Sequence, residues 1–503
     1  MDVTAIPTVT TTGGFLLGLA IILPVAGILS SFALGGRYAE RIALILMPAG
    51  LTIAIAIAVF LWRAGEPLVY VLGGYAPPLG IALRADGFSA VMLLTSAIVI
   101  SSAGFYARAN FATPQGVKEA RAPFTFWVLL QAIWAALNIV SLGGDLFNLY
   151  VALELLTFAA VPLVCLDGRS ETLTAALRYL LFALCGSVFY LLGAALLYGA
   201  FGTLDIVLLA ERVRAEPAVW VAAGLMTAGL LAKTALFPLH LWLPPAHANA
   251  PAACSAILSA LVVKGSFFLV VRIWFNVLPS LPHETASAIL AALGSAAIIF
   301  GSILALKQER LKLLIAYSTV AQIGYLFLMF PLAGGPHPWA ADAWSGGVMQ
   351  TLSHAFAKAA MFLAAGLIAE SLGHDRIADL RGVGSVMPVT LFAFGLGGLS
   401  LMGLPPSGGF VAKWLLLKAS VEAGQWVWAV VMLAGGVLAG GYVYRVLAPS
   451  LASGDIDLKV PPQRSREGAA LALAIVAVLL GFAPPSFFDF LQIGRVLVTG
   501  GPS

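Results

Sequence analysis

The stretch "AKTALFPLHLWLPPAHANAP", residues 232–251, sets Lys233, His240 and His247 inside a long apolar run and interrupts that run with four prolines. A soluble helix would put such a lysine in water. Here the surroundings forbid it: the 503-residue chain is 61% hydrophobic and only 10% charged, with a mean hydropathy of +0.99. A chain of this length has too few polar side chains to cover a soluble surface. Hydrophobic runs of about 20 residues, the length that crosses roughly 30 Å of hydrocarbon as a helix, succeed one another from Gly13 to Phe482. The alternating pattern of a transmembrane barrel is missing, and helices are the other structure that satisfies every backbone group in lipid. The expected fold class is an all-α polytopic membrane protein with about 14 transmembrane helices.

The expected spans are 13–34, 41–62, 86–106, 123–142, 145–166, 174–200, 217–241, 250–275, 284–306, 312–332, 346–371, 386–420, 424–447 and 466–486. The first run lacks the basic start and small-residue cleavage site of a signal peptide, so it reads as a retained helix. Odd-numbered connections carry sixteen lysines and arginines, among them Lys118; even-numbered connections and termini carry seven (Arg63, Arg84, Arg212, Arg214, Arg272, Lys418 and Arg495). The positive-inside rule then makes the odd connections cytoplasmic and leaves both termini on the outer face. The longest connection, about 18 residues between the last two spans, is too short for a soluble domain. Cys165, Cys185 and Cys254 stand singly in apolar runs. They offer no paired-cysteine pattern for a disulfide framework, an iron–sulfur cluster or covalent haem, and read as packing residues.

The four remaining basic residues, Lys233, Lys264, Lys358 and Lys413, all fall inside spans, and of the acids only Glu154 sits near the middle of one. A lysine at the bilayer centre costs about 2.5–3.5 kcal/mol on insertion scales. Snorkelling or static pairing is the bland explanation, and for Lys264 and Lys358 the span ends are too distant for snorkelling. Burial disfavours a lysine's charge and a nearby carboxylate favours it, so a mobile Glu/Lys pair can act as a proton switch. Glu154 with Lys233 is the candidate pair. His354 and Lys358, at i and i+4, share one helix face, and a histidine there can relay protons near neutral pH. His240 follows Pro238 and could relay protons or satisfy freed carbonyls. Tyr317, Ser318, Thr319 and Gln322 in "IAYSTVAQIGY" give span ten a hydrated stripe that could hold waters between ionisable groups or merely bond a neighbouring helix. His247 reads as structural, Asp145 as the residue that opens a helix, and His283, His337 and His374 as loop residues. Spans seven and twelve are broken, at Pro238 with Pro244-Pro245 and at "GLPPSGGF". Broken helices at corresponding places in two halves mark the ion site of an inverted-repeat transporter.

"DLFNLYVALELL", "AKTALFPLHLWLPPAHANAPAACSAILSALVVKG", "RLKLLIAYSTVAQIGYLFL", "HAFAKAAMFLAAGL" and "LSLMGLPPSGGFVAKW", in this order, resemble the antiporter-like membrane subunits of respiratory complex I and the Mrp D component of multisubunit cation/proton antiporters. "GDLFNLYVALE" followed by "LLYGAFGTLDI" looks closer to the Mrp type. The resemblance implies two inverted five-helix repeats, with helices 1–3 in residues 1–110, the repeats in 120–275 and 284–447, and helix 14 in 448–503. It implies functional groups at Glu154, Lys233, Lys264, His354, Lys358 and Lys413. Two departures stand out: Pro245 replaces a frequent aspartate, and Arg310 and Leu313 replace an aspartate and an arginine where helix ten begins.

The expected function is proton or cation/proton translocation through a mid-membrane Lys/Glu/His relay, in a bacterial inner membrane, with other membrane subunits as partners. No cofactor, metal or nucleic-acid partner is expected; protons, or protons and Na+, are the cargo. One carboxylate at mid-membrane leaves proton and sodium both open. The chain could equally serve in an NADH:quinone oxidoreductase or membrane-bound hydrogenase, whose redox chemistry would sit on partners. A further alternative is an inorganic-carbon uptake complex.

Overall fold

The computed structural model describes residues 9–114, 116–117, 119–279, 281 and 284–496; Lys118, His283 and both termini lie outside the described residues. The protein is multi-pass. Thirteen described helices are long and apolar enough to cross a membrane, and two shorter helices divide the remaining crossing, which accounts for the fourteen expected spans. In chain order they are α1 (Phe15–Leu34), α2 (Gly36–Ala64), α3 (Gly87–Phe111), α4 (Arg121–Leu142), α5 (Leu146–Val164) and α6 (Ser170–Phe201). A short α7 (Ile206–Arg212) precedes α8 (Pro217–Thr234), and α9 (Leu243–Asn249) follows the first break. Then come α10 (Ala252–Val277), α11 (Glu284–Lys307), α12 (Leu311–Ala333) and α13 (Ala340–Leu372). The divided pair is α14 (Pro388–Met402) and α15 (Gly408–Glu422). The last crossings are α16 (Trp426–Leu451) and α17 (Arg464–Phe482), with a short α18 (Pro485–Gln492) beyond.

Helices α10, α12 and α13 are buried along nearly their whole length, whereas α2 and α16 expose most of theirs. The three central helices carry Lys264, Ser318 with Thr319, and His354 with Lys358. Small residues set the closest helix approaches, as expected where lipid supplies no hydrophobic drive between helices. A Cβ on Gly229 would stand 2.2 Å from the carbonyl oxygen of Gly186, and one on Gly324 would stand 2.3 Å from that of Gly294. These contacts close α6 onto α8 and α11 onto α12.

Both breaks end their first half in the same way. Ala235 and Gly403 adopt left-handed conformations (φ 58° and 80°), and the next residue's N–H reaches back to the helix: Leu236 to Leu231 O at 3.1 Å, Leu404 to Leu399 O at 3.2 Å. That is a Schellman-type end. Helix α8 therefore stops at Thr234, seven residues short of the expected limit at 241, because the left-handed turn at Ala235 comes before Pro238. The chain resumes as helix at Leu243 and Gly408, where the Ser407 hydroxyl caps the Phe410 N–H at 3.1 Å.

The all-α architecture carries one small sheet in a connection. Between α2 and α3 an antiparallel hairpin pairs β1 (Leu68–Val71) with β2 (Ala82–Ala85), Leu68 opposite Ala85. Its outer edge is blunted by Thr10 and Thr11, whose hydroxyls accept from Val71 N at 3.1 Å and Val69 N at 2.9 Å; an open edge at a membrane face would otherwise be left unpaired. From β2, Arg84 forms a bidentate pair with Asp205 (2.7 and 3.3 Å). Asp205 also caps α7 through Val207 N and Leu208 N. Asp145 accepts from Phe147 N and Asn148 N and opens α5 as expected, and burial raises its carboxyl above the ordinary aspartate range. The last crossing also differs: it ends at Phe482, and residues beyond Pro484 form the separate α18.

Candidate functional site

Glu154 on α5 and Lys233, two residues from the C-terminal end of α8, meet at 3.0 Å with side chains 14% and 6% exposed. Lys233 also donates to Thr157 Oγ1 at 3.0 Å and reaches Leu153 O at 3.5 Å, while the Ser187 hydroxyl bonds the Glu154 carboxylate. Glu154 and Thr157 are three apart, so one face of α5 supplies both acceptors. A cation at a helix C-terminus is also favoured by the helix dipole. A small cavity of about 10 Å³, lined by Lys233, Thr157, Tyr179 and Ser266, adjoins the pair. Thr234 Oγ1 lies 3.0 Å from Ser266 Oγ and ties this end of α8 to α10.

Lys264 follows a π-helical turn, Leu258–Val262, and its ammonium bonds the Ser259 carbonyl inside that turn. Single π turns within α-helices occur often at functional sites. The Ser259 hydroxyl is 2.9 Å from Thr319 Oγ1 on α12. One turn earlier, the Ile315 carbonyl accepts from Ser318 (2.9 Å), Thr319 (3.0 Å) and Lys358 Nζ (2.9 Å), and Lys358 also bonds the Ser318 hydroxyl. A hydroxyl ladder thus joins α10 to α13 through α12. Lys413 on α15 points back at the end of α14: it donates to Leu401 O at 2.6 Å and sits 4.2 Å from the Tyr325 ring centroid. Gln322 donates to the same carbonyl at 3.0 Å and accepts from Gln350 at 3.1 Å.

His354 is buried with neither ring nitrogen bonded to protein, within electrostatic reach of Lys264, Lys358 and Lys413. His247 shares that situation. Its ring stacks on Phe362 at 4.6 Å, one turn along α13 from Lys358, and among the described residues both nitrogens lack a partner. The structure thereby places the residue that reads as structural in the sequence against the helix that carries Lys358. Only its two unsatisfied nitrogens reveal it, and those need coordinates. His240 packs instead against Phe237 and Phe300 (5.5 and 6.4 Å), and its Nδ1 has no partner among the described residues. Tyr317 is half-buried and makes no hydrogen bond among the described residues, so of the "YS" pair only Ser318 joins the row. Sequence reading also passes over Thr157, Ser187 and Ser259, since a hydroxyl in an apolar run carries no spacing signal. Toward the odd-numbered connections, Arg310 pairs with Asp375 at 2.9 Å and Lys312 donates to Ala250 O at 3.0 Å, so the arginine that departs from the expected motif is held by an acid of the next connection.

Among the described residues only Lys233 of the four buried lysines has a carboxylate partner; the other three rest on carbonyls, a hydroxyl and a ring face.

Comparison with known proteins gives a consistent picture. Residues 143–439 match the family described as NADH:quinone oxidoreductase/Mrp antiporter, TM. The chain is 36% identical over 437 residues to the N subunit of the NADH-quinone oxidoreductase of Desulforudis audaxviator, covering 85% of each. It is 30% identical over 394 residues to the D subunit of the Na(+)/H(+) antiporter of Alkalihalophilus pseudofirmus, covering 77% of this chain and 76% of that protein. A chain of the Mrp complex from Dietzia sp. DQ12-45-1b superimposes with a TM-score of 0.86 at 25% identity, covering 96% of each.

The Glu154–Lys233 contact generates a stability prediction. Lys233→Met, which leaves a half-dry carboxylate without its counter-ion, lowers unfolding free energy by about 3–5 kcal/mol. Adding Glu154→Gln recovers most of that loss. Denaturant titration of the purified chain in detergent reads the cycle, and strictly additive effects would show that the two groups do not interact.

Proposed function

The chain belongs to the membrane-subunit family shared by NADH:quinone oxidoreductases and Mrp antiporters, and from that premise we propose that it translocates protons, alone or against a cation, within a multisubunit membrane complex. The observation that carries this reading is the row of buried lysines with a single carboxylate at one end. Carbonyl and hydroxyl oxygens accept from an ammonium or from a neutral amine alike, so Lys264, Lys358 and Lys413 keep their partners in either protonation state. Glu154 differs, because a carboxylate favours the charged form of its lysine.

In this mechanism Glu154 sets the protonation of Lys233. The proton passes by way of Lys264 and the Ser259–Thr319 bridge toward Lys358 and His354, and Lys413 exchanges it with one face. His247 joins the centre of the path, flanked by Lys264 and Lys358. Buried imidazole nitrogens without protein partners are ordinarily satisfied by ordered water, the medium that proton transfer between such groups requires. The matching left-handed ends of α8 and α14 support two related halves, α4 to α10 and α11 to α16, with a broken helix in each. His240 and Tyr317 fall outside the path.

The relative at 36% identity, named as part of a quinone oxidoreductase, favours a second setting, a redox-driven complex in which partners hold the cofactors. The work assigned to this chain is the same in both. The bacterial relatives support a bacterial inner membrane, and the excess of basic residues in odd-numbered connections supports both termini outside.

Two experiments test these proposals. In proteoliposomes containing the complete complex, Lys233→Ala reduces ion-coupled proton transport to background; undiminished transport would remove the central step. For orientation, in intact cells lacking the native cysteines, Ala76→Cys in the hairpin turn reacts with a membrane-impermeant maleimide, and Ser453→Cys between α16 and α17 does not. The reverse pattern would invert the topology.

A further inference from the structure

Arg495, just beyond α18, has no acid to pair with among the described residues. Its guanidinium donates to Gln492 Oε1 at 3.0 Å and to Ala333 O at 2.7 Å, and lies 5.8 Å from the Trp344 ring centroid. Among the described residues no carboxylate stands within ion-pair distance. Burial alone acts on it and lowers its pKa to about 10. A partly buried cation is ordinarily paired; this one spends two of a guanidinium's five N–H groups on protein acceptors.

Arg495 lines two adjoining cavities that share Gly335, the first of about 10 Å³, room for a single water, and the second of about 410 Å³. Trp274 and Phe275 wall the first; His337 and Gln492 line the second. His337 is exposed, stacked flat on Trp339 at 4.7 Å, and has N–H capacity to offer. The place is at one membrane face, where α12 ends, α13 begins and α18 follows the last crossing. Trp274, Trp339 and Trp344 gather there, as tryptophans do at headgroup level.

We propose that the Arg495 pocket binds a phosphate oxyanion at the membrane surface, the headgroup phosphate of a phospholipid being the source its depth favours and free phosphate the other. A planar guanidinium with parallel free N–H groups matches two phosphate oxygens, and charge-assisted bonds of this kind are roughly twice as strong as neutral ones. The bound group braces a joint that matters to the lysine row. Trp344 at the start of α13 donates to Leu491 O at 2.8 Å, and Gln492 donates to Ser345 Oγ at 2.9 Å, so α18 and Arg495 fasten the outer turn of the helix that carries His354 and Lys358.

The competing role is purely structural, with Arg495 serving only to cap the Ala333 carbonyl. Lipid-depleted full-length protein in neutral detergent is titrated with dioctanoyl phosphatidylglycerol, with dioctanoylglycerol and with sodium phosphate, binding being read by microscale thermophoresis. Phosphatidylglycerol binds at least about tenfold more tightly than dioctanoylglycerol, and Arg495→Gln removes that difference while Arg495→Lys keeps part of it. Sodium phosphate that binds and displaces the lipid identifies the soluble anion as a source and still supports the oxyanion site. Equal affinity of wild type for the two lipids, with no binding of phosphate, overturns the proposal even if the Gln variant does not fold. An Arg495→Gln protein that folds and binds phosphatidylglycerol as wild type does overturns it as well.

Discussion

An ammonium group in an interior as thick as the bilayer core, out of reach of bulk water, must find oxygen acceptors on the protein, and the rest of this structure follows from meeting that demand four times. An ordinary helix interior has its carbonyls engaged in its own ladder. The protein supplies acceptors by separate means: a carboxylate and a threonine beside a helix end for Lys233, a carbonyl within a π turn for Lys264, a carbonyl shared with two hydroxyls for Lys358, and the terminal turn of a divided helix for Lys413. The breaks in the seventh and twelfth crossings, the π turn in α10 and the hydroxyls of α12 are four answers to one cost.

The asymmetry of those answers gives the arrangement its direction. A carboxylate commits its lysine to a charge, and neutral oxygens do not. Glu154 stands at the α5–α8 end, held by Ser187, whereas Lys413 at the other end has a π face and a carbonyl. In the proposed relay the first pair is where a change in geometry changes protonation, and the remaining lysines form the path. The glycine contact between Gly186 and Gly229 lies directly behind Lys233. It fixes how far α8 can approach α6 and hence where the ammonium meets Glu154.

Depth along each span was legible in the sequence; direction around it was not. Lys233, Lys264, Lys358, Lys413 and Glu154 declare themselves because an ionisable residue in lipid is costly wherever it points, and the prolines and glycines of the broken spans declare themselves because backbone rules allow little else. Histidine is different. His240 and His247 occupy similar sequence surroundings, seven residues apart, yet one packs against Phe237 and Phe300 and the other stacks on Phe362, one turn from Lys358. No periodicity decides that, because the helical pattern is interrupted between them. The hairpin was hidden for a related reason: "LVYV" and "ALRA" are short and apolar enough to pass for the edges of spans, and their pairing depends on Thr10, Thr11 and Gly143 far away in sequence. The Ser259 hydroxyl became meaningful only once its 2.9 Å contact with Thr319 joined two helices.

The most direct test of the central claim concerns Lys264, the fully buried lysine that rests on a backbone carbonyl and has no role in pairing with Glu154. Electrogenic charge movement after a rapid pH step, recorded on a solid-supported membrane with the reconstituted complex, compares wild type with Lys264→Met. A continuous lysine row predicts that the variant assembles normally and loses the charge movement. A variant that assembles and moves charge at the wild-type rate would contradict the account.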